Sequence, residues 1–341
     1  MNANRPPLTR IAIALTVLLL ATAAGGCGEK EEEDPASAEA VPIDLSLDFF
    51  VNPDHAGIYT AIEQGFFERA GLAVTPRVPS DPSAPIKEVA AGRTDLAISY
   101  EPEVLLAREQ GLDVVAIAAM VDEPLTSLIH LPEAGITKPA DLAGKTVATA
   151  GIPYQSDYLS TILAEAGVDG GDVKEVGVGF NLLPAILGGR ADAILGGFRN
   201  VEGVDLAERG ENPVVQPVDE LGVPTYDELV LVARKSDVED RREELELFVA
   251  ALEKGTAAAV ADPAGAARAV LAAGEGLDPE LTKAEINATL PLLAKDPEEA
   301  FGEMSADEWE LFASWMAENG LISEVPSSED LFTNELLPGA G

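Results

Sequence analysis

The stretch from Leu45 to Phe67, LSLDFFVNPDHAGIYTAIEQGFF, constrains the fold most, because its hydrophobic period changes partway along. Ile43, Leu45, Leu47 and Phe49 alternate with Asp44, Ser46 and Asp48, the period of a strand. Asn52-Pro53-Asp54-His55 then breaks the pattern. Pro53 lacks a backbone N–H and holds Asn52 extended, and Asp54 can cap the helix that follows. Tyr59, Ile62 and Phe66 recur at helical spacing. Asn52, Asp54 and His55 therefore stand where a strand's carboxyl end meets a helix N-terminus, the usual place of a ligand crevice in open α/β sheets.

The same plan returns further on. Ile86–Ala91 predicts a short helix, followed by Gly92-Arg93-Thr94-Asp95, the apolar strand 96–99 and the pair Tyr100-Glu101 before a helix opened by Pro102. About a hundred residues later, 182–187 predicts a helix, followed by Gly189-Arg190-Ala191-Asp192, a strand from Ala193, and Phe198-Arg199-Asn200-Val201-Glu202. In both copies Gly is expected to end the helix and Asp to fix the turn into the strand. Two copies of one α/β plan imply two similar lobes with parallel-rich sheets. Segments 125–131 and 229–233 are the expected hinge crossings between them. A further turn, Gly151-Ile152-Pro153-Tyr154-Gln155-Ser156, is expected to lead from a strand into a helix starting at Asp157. From about 239 onward the pattern is helical.

The 341 residues, 47% of them hydrophobic, can bury a core large enough for two lobes. With 60 Asp+Glu against 22 Lys+Arg, the formal net charge is −38, which excludes nucleic acid as a partner and reads as a highly solvated surface. Arg5 and Arg10 precede an apolar run, 11–24, too short to span a membrane at roughly 20 residues per span. It reads as a signal peptide over residues 1–26. Ala24-Gly25-Gly26-Cys27 then resembles a bacterial lipoprotein cleavage site, with Ala24 where Leu is usual; the alternative is an unmodified Cys in an ordinary signal peptide. Cys27 is the one cysteine, so the chain forms no internal disulfide and no cysteine metal site. Residues 27–42 are acidic and Ala/Pro-rich and read as a lipid-tethered linker. The expected order is completed by a first lobe over 43–127, a second lobe with its hinge segments over 128–229, and a return to the first lobe with C-terminal helices over 230–341.

Little in the chain suits catalysis. No Gly-x-Ser-x-Gly, His-Glu-x-x-His or P-loop occurs, and there are two histidines. His130 lies in an apolar strand as a structural residue. His55 admits two readings, ligand contact and helix-start capping. Of the five tyrosines, Tyr100, Tyr154 and Tyr226 fall at strand–helix junctions or beside a hinge, and Phe198 does the same. Such faces suit a flat heteroaromatic ligand, and Asn52, Glu101, Gln155, Asn200 and Glu202 could pair with its edge. Trp309 and Trp315 read as packing residues. No cofactor and no metal are expected.

Four motifs carry a resemblance: Asn52-Pro53-Asp54-His55, Tyr100-Glu101, Gly196-Gly197-Phe198-Arg199-Asn200-Val201-Glu202-Gly203 and Gly222-Val223-Pro224-Thr225-Tyr226-Asp227. They resemble the periplasmic-binding-protein-like family that handles thiamine pyrimidine precursors, over about 45–233. The resemblance implies an α/β, two-lobe periplasmic binding protein of type II. It also implies an extracytoplasmic, lipid-anchored monomer that hands an aminomethyl- or hydroxymethyl-pyrimidine to an ABC transporter permease, with no enzymatic activity. By position it assigns the ligand to Asn52, His55, Glu101, Tyr154, Asn200, Glu202 and Tyr226, joined here by Gln155 and Phe198. Arg199 stands where family members often have Trp, which bears on the stacking partner. Related importers take sulfonates or riboflavin. A eukaryotic relative is a pyrimidine synthase, and its cysteine-rich motif is absent here.

Overall fold

A computed structural model describes residues 40–293 and 300–339; the expected signal peptide, Cys27 and the linker up to Glu39 lie outside them. Among the described residues, ten strands form two five-stranded sheets. The first contains β1 (Val41–Ser46), β2 (Leu72–Arg77), β3 (Leu96–Ser99), β4 (Val114–Val121) and β10 (Leu229–Arg234), in the order β2-β1-β3-β10-β4. The second contains β5 (Thr126–His130), β6 (Thr146–Thr149), β7 (Lys174–Gly177), β8 (Ala193–Phe198) and β9 (Val214–Pro217), in the order β7-β6-β8-β5-β9.

Both sheets are mixed rather than parallel throughout. β1 pairs in parallel with β2 and β3, while β10 runs antiparallel between β3 and β4. The second sheet repeats this, with β6 parallel to β7 and β8 and β5 antiparallel to β8 and β9. The reversed strand is in each case the first to arrive from the other sheet. Both expected hinge segments are therefore these strands themselves, and the crossings fall just before them, at 122–125 and around 223–228.

The two Gly-Arg-x-Asp copies do identical structural work. Gly92 and Gly189 take φ of 65° and 64°, which glycine adopts without a Cβ penalty, and so end their helices. Asp95 donates its N–H to the Asp44 carbonyl (3.0 Å) and accepts the Asp44 N–H at its carboxylate (2.8 Å). Asp192 makes the same reciprocal pair with Thr146, at 2.8 Å each way. Each copy thereby pins its strand to the neighbouring parallel one, β3 to β1 and β8 to β6.

Local boundaries differ in instructive places. The linker read over 27–42 ends earlier, because Val41 and Pro42 already belong to β1, paired with Leu72 and Ala73; Pro42 is tolerated where β3 is not yet alongside. The helix expected from Asp157 starts at Pro153, whose missing N–H is harmless in a first turn, so Tyr154 and Gln155 are helical. Between β5 and β6 a 3₁₀ turn, Pro139–Leu142, replaces a longer helix. The C-terminal helix Arg242–Ala261 packs on Ala56–Glu63, and Pro279–Leu293 reaches both the turn at Pro53–His55 and the helix Glu202–Glu208.

Candidate ligand-binding site

Four strand ends converge between the sheets. Beyond β1 the chain bends through Asp48 and Phe49 to Asn52, and beyond β3 comes Tyr100. Beyond β6 lie Ile152, Tyr154 and Gln155, and beyond β8 lie Val201 and Glu202, the first residue of its helix. Together they line a narrow cleft between the sheets. At its mouth Phe49 and Phe50 meet Phe180, with ring centroids 4.7 and 4.3 Å away. Deeper in, Tyr100 from one side stands edge-on to Tyr154 from the other at 5.9 Å, so the aromatic contact spans both sheets.

The Asn-Pro-Asp-His turn is a tightly wired cap. Asn52, and not Asp54, caps it: its side-chain oxygen accepts the Asp54 N–H at 2.8 Å, and its amide nitrogen donates to the Phe50 carbonyl at 3.1 Å. The backbone N–H of Asn52 donates to His55 Nδ1 (3.2 Å), which leaves Nε2 to carry the proton and donate to Asp48 Oδ1 (2.8 Å). Tyr100 donates its hydroxyl to the other oxygen, Oδ2, at 3.0 Å. Asp48 is thus held from two directions, with His55 behind it and out of the cleft lining.

On the opposite side Glu202 accepts the Phe198 N–H at 2.8 Å, and burial pushes its carboxyl up to about 7 despite that bond. Gln155 lies flat against Gly196, where a Cβ would sit 2.2 Å from the amide nitrogen; its oxygen is buried without a hydrogen-bond partner. Such an orphaned acceptor costs free energy, which a donor entering the cleft would relieve.

Of the sequence-predicted residues, the cleft brings together Asn52, Tyr154, Gln155, Phe198 and Glu202. Four others lie behind it as ties between segments. His55 supports Asp48, as above. Glu101 accepts the Asp227 N–H at 2.8 Å, and burial raises its carboxyl well above the usual range. Asn200 donates to Asp54 (2.7 Å) and to Thr289 (2.8 Å), bridging the second-sheet side to the first and to the helix Pro279–Leu293. Tyr226 donates to Glu228 at 2.9 Å; Glu228 also accepts the N–H groups of Leu125 and Thr126 at 2.8 and 2.7 Å, clipping the two chain crossings to each other. Arg199 is turned outward to Glu123, 2.9 Å away.

Sequence reasoning overlooked Asp48, Phe49 and Phe180, and counted Tyr100 as a junction aromatic without assigning it to the site. Asp48 looked like the solvent face of an alternating strand, yet it is 1% exposed. A signal was present: Asp48 lies just past the carboxyl end of a strand, where ligand crevices of open α/β sheets form.

The NMT1/THI5-like family profile matches residues 52–266, beginning at the capping asparagine. The chain belongs to the NMT1/THI5-like family. A formylaminopyrimidine-binding protein of Halalkalibacterium halodurans is 36% identical over 328 residues, covering 95% of this chain and 97% of that relative. A 4-amino-5-hydroxymethyl-2-methylpyrimidine phosphate synthase of Aspergillus parasiticus is 27% identical over 235 residues, covering 66% of this chain and 68% of the synthase. Among solved structures, the alkanesulfonate-binding protein SsuA of Xanthomonas axonopodis pv. citri, bound to MOPS, superposes with a TM-score of 0.66 at 16% identity, covering 86% of this chain and 96% of SsuA. This NMT1/THI5-like chain therefore has the periplasmic-binding-protein fold expected of it, and its similarity to the formylaminopyrimidine-binding protein spans 95% of its length.

Proposed function

We propose that this protein is an extracytoplasmic solute-binding lipoprotein of an ABC importer, and that it holds a thiamine pyrimidine precursor, an aminomethyl- or hydroxymethyl-pyrimidine, between its two sheets. The observation that carries this reading is the cleft itself, where Tyr100, Tyr154 and Phe198 supply aromatic surface and Glu202, Gln155 and Asp48 supply edge partners. A methylated aminopyrimidine has two apolar faces and an amine that needs acceptors, which is the complement of this lining. The identity with a formylaminopyrimidine-binding protein supports the ligand class.

The synthase reading, with His55 as a reactive base, is less well supported. His55 is fully buried, does not line the cleft, and has both ring nitrogens engaged with Asn52 and Asp48. The anchor at Cys27 and the permease partner rest on the sequence of the amino terminus and on the fold. Calorimetry with aminomethyl- and hydroxymethyl-pyrimidine, riboflavin and an alkylsulfonate is the test. Tighter binding of a pyrimidine is expected, and turnover of any of them, or preference for the sulfonate, would refute the reading.

A further inference from the structure

The charged side chains lining the cleft are Asp48 from the first-sheet side and Glu202 from the second, and among the described residues no Lys, Arg or His lines it. The two basic residues nearest in sequence are occupied elsewhere: Arg199 pairs with Glu123, and the neutral His55 donates to Asp48 from behind. Both carboxylates are nearly out of solvent, at 1% and 8% exposure. Asp48 adds to the upward push that burial exerts on Glu202. A further polar group of the lining, the Gln155 oxygen, is buried without a hydrogen-bond partner and is again an acceptor.

From this arrangement we infer that the cleft selects a flat ring presenting amine hydrogens to Asp48 and to Glu202, and that it bars anionic derivatives of that ring, phosphate esters and sulfonates alike. The inference rests on the pyrimidine-binding reading above and narrows its ligand class. Asp48 is the specificity-determining residue. Its oxygens are fixed by Tyr100 and His55, and His55 is fixed in turn by the Asn52 N–H, so the carboxylate cannot swing away from a repelling ligand. A carboxylate has about four lone-pair sites, so one donor on each oxygen leaves capacity for the ligand's amine. An anion placed there would meet the buried Asp48 carboxylate and the Glu202 carboxyl with no counter-charge in the lining, a desolvation penalty without return.

The test uses the mature protein and three probes that share one 4-aminopyrimidine ring: the 5-aminomethyl form, the 5-hydroxymethyl form and the phosphate ester of the latter. At neutral pH the aminomethyl form is expected to bind about tenfold tighter than the hydroxymethyl form, and the ester at least about a hundredfold weaker, from the size of charged hydrogen bonds. Asp48→Asn keeps an acceptor for His55 and offers its new amide hydrogen to the Tyr100 oxygen, so the empty protein should melt unchanged. In that variant the gap between amine and hydroxyl forms should close by about tenfold. An ester that binds within tenfold of the hydroxymethyl form, or an unchanged ranking in Asp48→Asn, overturns the inference while leaving pyrimidine binding intact. If no pyrimidine binds, the functional reading falls instead, and the charge rule is decided on melting shifts with aromatic amines against aromatic sulfonates; stabilisation by a sulfonate overturns it.

Discussion

Asn200→Ala tests whether the two sheets are latched together by groups that do not touch ligand. Asn200 leaves β8's end and donates one amide nitrogen to both Asp54 and Thr289, at 2.7 and 2.8 Å. All three residues are buried, at 2%, 1% and 0% exposure. Truncation leaves the Asp54 carboxyl and the Thr289 hydroxyl short of a donor, and each buried group so orphaned costs about 1–3 kcal/mol. The Thr289 hydroxyl can rotate toward another partner, so the sum falls at about 2–4 kcal/mol. When the sheets part, water reaches both groups, so the loss is confined to the bridged form. Ligand affinity should fall by about thirtyfold to several hundredfold, with the change in the dissociation rate. Because Asn200 lies outside the cleft lining, the factor should be the same for ligands of different size. Calorimetry and stopped-flow release with two or more ligands measure it. An affinity within threefold of the parent, or a loss confined to one ligand, refutes the latch.

Further perturbations address other parts of the same architecture. Asn52→Ala removes the acceptor of the Asp54 N–H and should destabilise the empty protein by about 0.5–2 kcal/mol, seen as a lower urea midpoint at unchanged slope; an unchanged midpoint contradicts its role as the cap. Gly196→Ala forces a Cβ to within 2.2 Å of the Gln155 amide at a residue with φ of 102°, so it should weaken ligand binding by about tenfold or more, whereas Gly→Ala at an unconstrained surface site should not. Burial raises Glu103, Glu202 and Glu228 from 4.5 to about 7 and Glu285 to about 8. The folded state therefore binds these protons more tightly than the unfolded chain, and stability should be greatest near pH 4.5 and decline as pH rises to about 8. Denaturant titrations across that window check the direction. Glu228→Gln should flatten the curve, and stability that rises with pH would contradict the burial of these groups.

What the sequence determined by itself was local. Periodicity marked the strand at 96–99 and the helix at 182–187 at their observed bounds, because apolar spacing acts within a few residues. The repeated Gly-Arg-x-Asp was legible for the same reason, since a positive φ and an Asp-bound strand start are properties of a short segment. Strand ends carrying Asn52, Tyr154, Phe198 and Glu202 could thus be placed beside a crevice from sequence. Tertiary structure alone decided which polar groups at those ends face the ligand and which face protein. Asn200 and Glu202 are two residues apart, yet one reaches Asp54 and Thr289 while the other turns into the cleft. Asp48 reads as a surface residue until Tyr100 and His55 close over it. Glu101 reads as a ligand partner until the Asp227 backbone, far along the chain, supplies its donor. Strand order belongs to the same class: β10 enters between β3 and β4 because the returning chain must bury the apolar run Leu229 to Ala233, and no spacing within that strand records its neighbours. A side chain's direction at a strand end depends on the bend beyond it and on whatever packs opposite, and both are set by residues a hundred or more positions away.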